Sequence, residues 1–99
     1  MTTHTHEDDR IAKYIEQLEK IHEIEFIYNG ITYSIEATYE KTGENTYRSD
    51  GRGFEIWKLE NEPDNGTAIA FSESAADILN IPCFDGKTFV DIIDEIESA

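Results

Sequence analysis

The chain has a single cysteine, few basic residues and no long apolar run. With Cys83 alone it can form neither an internal disulfide nor a zinc site built from several cysteines, which suits a reducing compartment. No apolar run approaches the roughly 20 residues that a membrane-spanning helix needs. Residues 1–7 lack the basic and apolar regions of a signal peptide. We therefore expect a cytoplasmic protein with no membrane partner.

The chain also has few basic residues. Eight Lys and Arg against 22 Asp and Glu give the chain a formal net charge of −14. Lys and Arg bind phosphate backbones by displacing counterions, whereas a surface dominated by carboxylates repels those backbones. The composition therefore argues against direct nucleic-acid binding and favours a basic protein surface as the partner. The alternative is that the acidity serves solubility alone.

What is present is sufficient for one folded domain. Apolar residues make up 38% of the chain and aromatic residues 11%, whereas acidic disordered chains are poor in aromatics. A length of 99 residues leaves room for one core. We predict a single domain over residues 1–99, with a frayed tail at residues 1–6. We also predict a mobile loop at residues 40–53, where three glycines interrupt the apolar pattern.

The clearest local signal is a hairpin that follows an amphipathic helix. Apolar residues at helical spacing predict that helix over residues 7–22, with Ile21 or His22 at the end of its apolar stripe. Asn-Gly at positions 29–30 then lies between two alternating runs, and both turn residues favour positive φ. A two-residue turn would pair Glu23 with Glu36. The turn and the hydrophobic alternation give the same register.

The remaining elements complete an α+β fold. Residues 54–60 and 67–71 read as the strands of a second hairpin. Ser72 or Ser74 would begin a short helix, and Thr88 would begin a final one with Asp91 in a capping box. We predict the order α-β-β-β-β-α-α, with one four-stranded antiparallel sheet covered on one face by all three helices. The residues expected to be buried by that sheet are Ile24, Phe26, Tyr28, Ile31, Tyr33, Ile35, Ile56, Ile69 and Phe71.

The sequence contains no pattern typical of a catalytic site. His4 and His6 lie beside acidic residues, but in the predicted tail the cost of ordering them would weaken a metal site. Residues 85–88, Asp-Gly-Lys-Thr, resemble the end of a phosphate-binding loop. Such a loop needs a glycine where Ile81 stands. We predict no catalytic residues, no metal and no cofactor, and we leave open whether the protein is an enzyme while favouring that it is not.

The acidity is uneven along the chain. Residues 1–39 carry a net charge of −5, residues 40–53 are neutral, and residues 54–99 carry −9. We therefore predict that the later acids bind the partner and that the loop adds contacts, because arginine and tyrosine are favoured at interfaces. The predicted acidic contacts are Asp85, Asp91, Asp94, Glu95 and Glu97, together with Glu55, Glu60, Glu62 and Asp64. The predicted loop contacts are Tyr47, Arg48 and Arg52.

Two resemblances bear on function. The start of the chain, one helix and three strands, resembles double-stranded-RNA-binding domains, but Asp91, Asp94 and Glu95 stand where those domains place basic residues on their final helix. In size and charge the chain resembles small acidic proteins of phages and mobile elements that mimic nucleic acid and block nucleases or repressors.

The leading prediction is a non-catalytic acidic interaction module, in its most specific form a nucleic-acid mimic that inhibits a basic nucleic-acid-binding protein. The first alternative is a small enzyme or ligand-binding domain whose site lies between the sheet and the helices and uses Trp57, Tyr33 and nearby carboxylates. The second alternative is an accessory subunit of a larger assembly. The sequence predicts no oligomeric state.

Overall fold

The structure, a computed structural model, describes residues 5–59 and 66–98, and their side chains from residue 9 onward. It confirms an α+β fold with one antiparallel sheet. Within the described ranges, no helix has the length and apolar character to cross a membrane. The elements are α1 (Thr5–Lys20), β1 (Glu23–Tyr28), β2 (Ile31–Lys41), β3 (Tyr47–Leu59), β4 (Thr67–Ser72), α2 (Ala75–Ile78), α3 (Phe89–Ile92) and β5 (Glu97–Ser98).

The sheet has five strands in the order β4-β3-β2-β1-β5, not the four that were predicted. The extra strand replaces the end of the predicted final helix, and Glu97 in β5 pairs with Ile27 in β1. The helix α3 is one turn long and has no basic residue in its last turn. Asp94 and Glu95 follow it, where negative charge opposes the helix dipole. Glu97 and Ser98 instead form backbone hydrogen bonds with the open edge of β1.

The helix α1 packs its apolar stripe on the core and ends two residues earlier than predicted. Leu18 is fully buried. The N–H groups of Ile21 and His22 both donate to the Gln17 carbonyl, at 2.7 and 3.1 Å. His22 then takes a φ of +71°, which ends the helix in the way a left-handed residue commonly does. Ile21 and His22 are therefore exposed, and neither extends the stripe as expected.

The first hairpin forms in the predicted register. Asn29 and Gly30 have φ values of +57° and +79°, as a tight turn of this type requires. Tyr28 lies opposite Ile31, and Glu23 lies opposite Glu36. The predicted caps also form: Ser74 caps α2, and Thr88 forms a capping box with Asp91 at the start of α3.

The core lies between the sheet and the helices and is built around Phe26. Its ring stacks on Tyr33 with 5.5 Å between centroids, and it meets Phe84 and Phe89 edge-on at 5.8 and 5.1 Å. Phe84 is held by a tight turn in which its N–H and C=O both bond to Lys87 at 3.0 Å. Aromatic pairs of this geometry add stability beyond their buried area.

One predicted core residue lies outside the core. Phe71 was expected to point the same way as Ile56, but it is 48% exposed. The pairing of β3 with β4 carries a bulge, which places Ala70 opposite Ile56 and Phe71 opposite Glu55. Since alternate residues of a strand point to opposite faces, the bulge turns Phe71 away from the helices.

The predicted loop at residues 40–53 is mostly strand. The strand β2 continues to Lys41 and β3 begins at Tyr47, so the turn is confined to residues 42–46. We call residues 38–53 the arm. Within residues 5–59 and 66–98, β2 and β3 pair only with each other along the arm, because pairing with β1 reaches Glu36 and pairing with β4 starts at Phe54.

Candidate functional site

The face of the sheet that points away from the helices carries a row of carboxylates. Glu23 lies opposite Glu36, and Glu36 lies opposite Glu55 on the next strand. Residues directly opposite each other in a sheet have Cβ atoms about 4.5–5.5 Å apart, so the three negative charges are close neighbours. We call this face the open face. On the strands β1 to β4 its carboxylates and aromatic residues are Glu23, Glu25, Glu36, Glu55, Trp57 and Phe71.

Hydrogen bonds hold two of these carboxylates without neutralising them. The Ser34 hydroxyl donates to Glu36 Oε2 at 2.8 Å, and Trp57 Nε1 donates to Glu55 Oε1 at 3.3 Å. None of the ion pairs within the described ranges involves the four open-face glutamates. Like charges directly opposite each other destabilise a sheet, so this arrangement favours the arrival of a cation.

The surroundings of Glu36 disfavour its charged form. Its pKa is raised chiefly because partial burial disfavours the charged form, while the hydrogen bond from Ser34 acts in the opposite direction. Repulsion from Glu23 and Glu55 raises the pKa further. A Lys or Arg placed beside Glu36 would reduce this repulsion and bring the pKa back down.

A groove of about 660 Å³ adjoins the open face, between the end of α1 and the arm. Glu23 and Glu36 contribute to it, together with Ile21, Tyr39 and Tyr47. These three apolar residues are 68%, 50% and 57% exposed. The two tyrosine rings meet edge-on with 5.3 Å between centroids. The groove and the open face together contain every large apolar side chain that is exposed in the described part of the chain. Such clustering is typical of binding surfaces.

The base of the arm is fixed by a bulge in which Thr38 alone faces residues 50–53. Thr38 is buried, with 1% of its surface exposed. Its hydroxyl donates to Asp50 Oδ1 at 2.5 Å. Asp50 also accepts from the Arg52 N–H at 2.9 Å and from Arg52 Nε at 2.7 Å. The bonds from Thr38 and then Arg52 lower the pKa of Asp50 to about 2. We call Thr38, Asp50, Arg52 and Gly53 the joint.

The predicted acidic contacts of the C-terminal half are dispersed, and two have structural partners. Asp94 accepts from Arg10 Nη1 at 2.6 Å. Asp91 accepts from the Thr88 N–H at 2.9 Å and completes the helix cap. Asp85 lies exposed in the turn that carries Phe84, with a φ of +55°. Asp91 and Asp94 therefore have structural roles, in a helix cap and in a contact with α1.

The other predicted contacts divide between the open face and positions elsewhere. Glu55 lies on the open face, and Glu97 pairs with Ile27, whose side chain points to the same face by alternation. Glu95 is exposed beyond α3. The predicted contacts Glu60, Glu62 and Asp64 lie outside the described residues.

The predicted loop contacts lie in different parts of the arm. Tyr47 lines the groove. Arg48 Nε donates to Glu40 Oε2 at 2.6 Å, and Arg52 belongs to the joint. Both guanidinium groups are therefore paired with acids of the arm itself.

The alternative of a site shared by Trp57 and Tyr33 does not fit the structure. Trp57 lies opposite Ser34 on the open face, whereas Tyr33 is buried among the core rings on the other side. Burial raises the pKa of the Cys83 thiol, which favours its protonated, less nucleophilic form. Among the described residues, no group of three His, Cys, Asp or Glu side chains is placed to hold a metal ion.

The sequence reasoning missed most of this surface. Glu23, Glu25 and Glu36 lie in the less acidic half of the chain, so the charge count drew attention to the other half. One signal was available: the predicted hairpin already placed Glu23 opposite Glu36, an unfavourable pair that stability alone does not explain. Compared with protein families, with curated proteins and with solved structures, the chain shows no match.

Proposed function

We propose that this protein is a non-catalytic interaction module of the cytoplasm that binds a basic protein surface through its open face. The observation that carries the proposal is the row Glu23, Glu36 and Glu55, which forms no ion pair within the described ranges and which two exposed or half-buried aromatic residues flank. The most specific form of the proposal is a nucleic-acid mimic that occupies the phosphate-binding surface of its partner.

The chemistry of the open face suits arginine in particular. A guanidinium group can bond two oxygens of a carboxylate and can also lie over an aromatic ring. Glu55 and Trp57 offer both kinds of partner side by side. The net charge of −14 would draw such a partner over long range, an attraction that dissolved salt weakens.

Two variants of equal charge test this proposal. The open-face variant combines Glu23→Gln, Glu25→Gln, Glu36→Gln and Glu55→Gln. The control variant combines Asp9→Asn, Glu19→Gln, Glu44→Gln and Glu73→Gln, four exposed positions away from that row. Both variants lose four negative charges, so a difference between them reports the position of the charges and not their number.

The measurement is capture of partners from an extract of the source cell at low salt, followed by elution with rising salt. We expect the wild type and the control variant to retain the same basic protein, and the open-face variant to lose it. Retention should fall as the Debye length shortens from about 10 Å at 0.1 M salt to about 3 Å at 1 M. Equal loss in both variants would contradict the open face as the binding surface, and retention that is indifferent to salt would contradict the proposal as well. Capture of no basic protein by the wild type would support acidity for solubility alone.

A further inference from the structure

Among the residues that the structure describes, none pairs with the backbone edge of the arm beside the groove. The Ala37 N–H donates to the His22 carbonyl at 3.0 Å, and the positive φ of His22 then turns the chain away from β2. Because alternate residues of a strand direct their N–H and C=O groups to the same side, those of Tyr39 and Lys41 point to the side that β1 has left.

The other edge of β2 confirms this alternation. The Thr42 N–H donates to the Thr46 carbonyl at 2.8 Å across the hairpin, so the even-numbered residues at the tip bond toward β3. The pairs Tyr39 with Ser49 and Lys41 with Tyr47 are therefore those whose backbone groups point outward. An edge of this kind is a template for an added strand.

The side chains along this edge differ between the two faces. Tyr39 and Tyr47, together with Ile21 at the end of α1, line the groove. Glu36 points to the open face and lies next to Glu23. A strand added here would meet Tyr39 and Tyr47 beside Lys41 on one face. On the other face it would meet the unpaired Glu23 and Glu36 first and then the Glu40–Arg48 ion pair. The tyrosines and the two unpaired carboxylates favour a segment in which apolar and basic residues alternate.

We infer that the edge of β2 at Tyr39 and Lys41 binds an extended segment of the partner in which apolar and basic residues alternate. This inference rests on the proposed function, since the segment belongs to the same basic partner. Strand addition gains affinity from backbone hydrogen bonds and specificity from alternate side chains. Charge favours a basic segment over a second copy of this chain. A second copy would bring another net charge of −14 to the edge, whereas a basic strand complements Glu23 and Glu36.

The probe is a synthetic peptide of four Val-Lys repeats, titrated into the full chain and followed by the backbone amide signals of the protein. The first control peptide has the same composition with the valines and lysines in two blocks. The second control peptide alternates but is N-methylated at every second residue, so it cannot donate to the edge. We expect the alternating peptide to shift the amides of Tyr39 and Lys41, and both controls to bind at least about tenfold more weakly, since each loses backbone bonds or pattern.

Two proline variants place the site on one edge of the arm. Lys41→Pro removes an outward N–H from the β2 edge and also removes a positive charge, so electrostatics alone would strengthen binding of the peptide. Ser49→Pro removes an outward N–H from the opposite edge of the same arm. We expect Lys41→Pro to weaken binding at least about tenfold. Ser49→Pro should weaken it far less, because the Ser49 side chain lines the groove but its N–H points to the opposite edge.

Equal binding of the alternating and block peptides would overturn the inference, and so would equal effects of the two proline variants. The N-methylated peptide keeps the test decisive even if a proline variant fails to fold, because it is measured with the wild-type chain. If the wild type captures a basic protein that the open-face variant loses, while Lys41→Pro still captures it, strand addition is wrong and the proposed function stands.

Discussion

The hairpin of β2 and β3 has two halves that differ in what surrounds them. In the inner half, residues 31–37 and 54–59, the two strands lie between β1 and β4 and are covered by helices, so Ile35 and Ile56 are fully buried. In the arm, the same two strands have each other as their strand neighbours, and Tyr39 and Tyr47 are exposed. A two-stranded ribbon is marginally stable by itself. Neighbouring strands and helices, and not the pairing of β2 with β3, therefore decide which half is buried and which half is exposed.

The largest expected effect tests the difference in stability directly. Ile35→Ala should lower the free energy of unfolding by about 2–5 kcal/mol, because it leaves a cavity in a filled core. Tyr47→Ala should lower it by about 1 kcal/mol or less, since it removes an exposed ring and one edge-on contact. Urea denaturation of both variants measures the difference. Similar losses in the two would show that the arm is part of the stable core.

The next effect concerns the bulge at the base of the arm, where Gly51 and Gly53 allow two matched substitutions. Gly51 and Gly53 both have positive φ, +77° and +155°. A Cβ at Gly51 meets open space, whereas a Cβ at Gly53 would overlap the backbone carbonyl of Ser72. We expect Gly51→Ala to cost about 1 kcal/mol of strain and Gly53→Ala about 3 kcal/mol, because the overlap adds to the strain. Thermal unfolding of the two variants tests this order, which equal midpoints would contradict.

The smallest expected effect is the pH dependence of the joint. Because the pKa of Asp50 is lowered from 3.8 to about 2, its stabilising contribution is fully present above pH 3.8 and is lost as the pH falls toward 2. An NMR titration of the Asp50 carboxyl carbon should give a midpoint near 2. Thr38→Val removes the hydroxyl donor and should move the midpoint upward. A wild-type midpoint close to 3.8 would mean that the joint does not hold the carboxylate.

Short-range features of the fold were predictable because neighbouring residues determine them. Asn29-Gly30 fixed the turn and, through it, the register of β1 with β2. Ser74 and Thr88 capped their helices as their side chains predict. The extension of β2 and β3 into the arm was not predictable from apolar pattern, since residues 40–53 are polar and the pairing there rests on backbone bonds and the Thr38 bulge.

For the candidate site, composition directed attention to the carboxylates of the C-terminal half, whereas the row on the open face takes two of its three members from the N-terminal half. The charge count identified carboxylates in general, yet the row Glu23, Glu36 and Glu55 combines residues from three strands. Its third member depends on the pairing of β2 with β3 across a bulge of four residues, which no local signal specifies. Phe71 joined the open face through a second bulge for the same reason.

Local patterns in the sequence specify the class of fold, the first hairpin and its register, and the caps of both short helices, and composition sets the net charge of −14. These follow from backbone preferences and side-chain charge, which act over a few residues or over the whole chain. The tertiary structure alone decided the fifth strand, the arm with its free edge, and the assembly of glutamates on the open face. Those features depend on which strands lie side by side. That arrangement is stabilised by many contacts between residues far apart in the sequence.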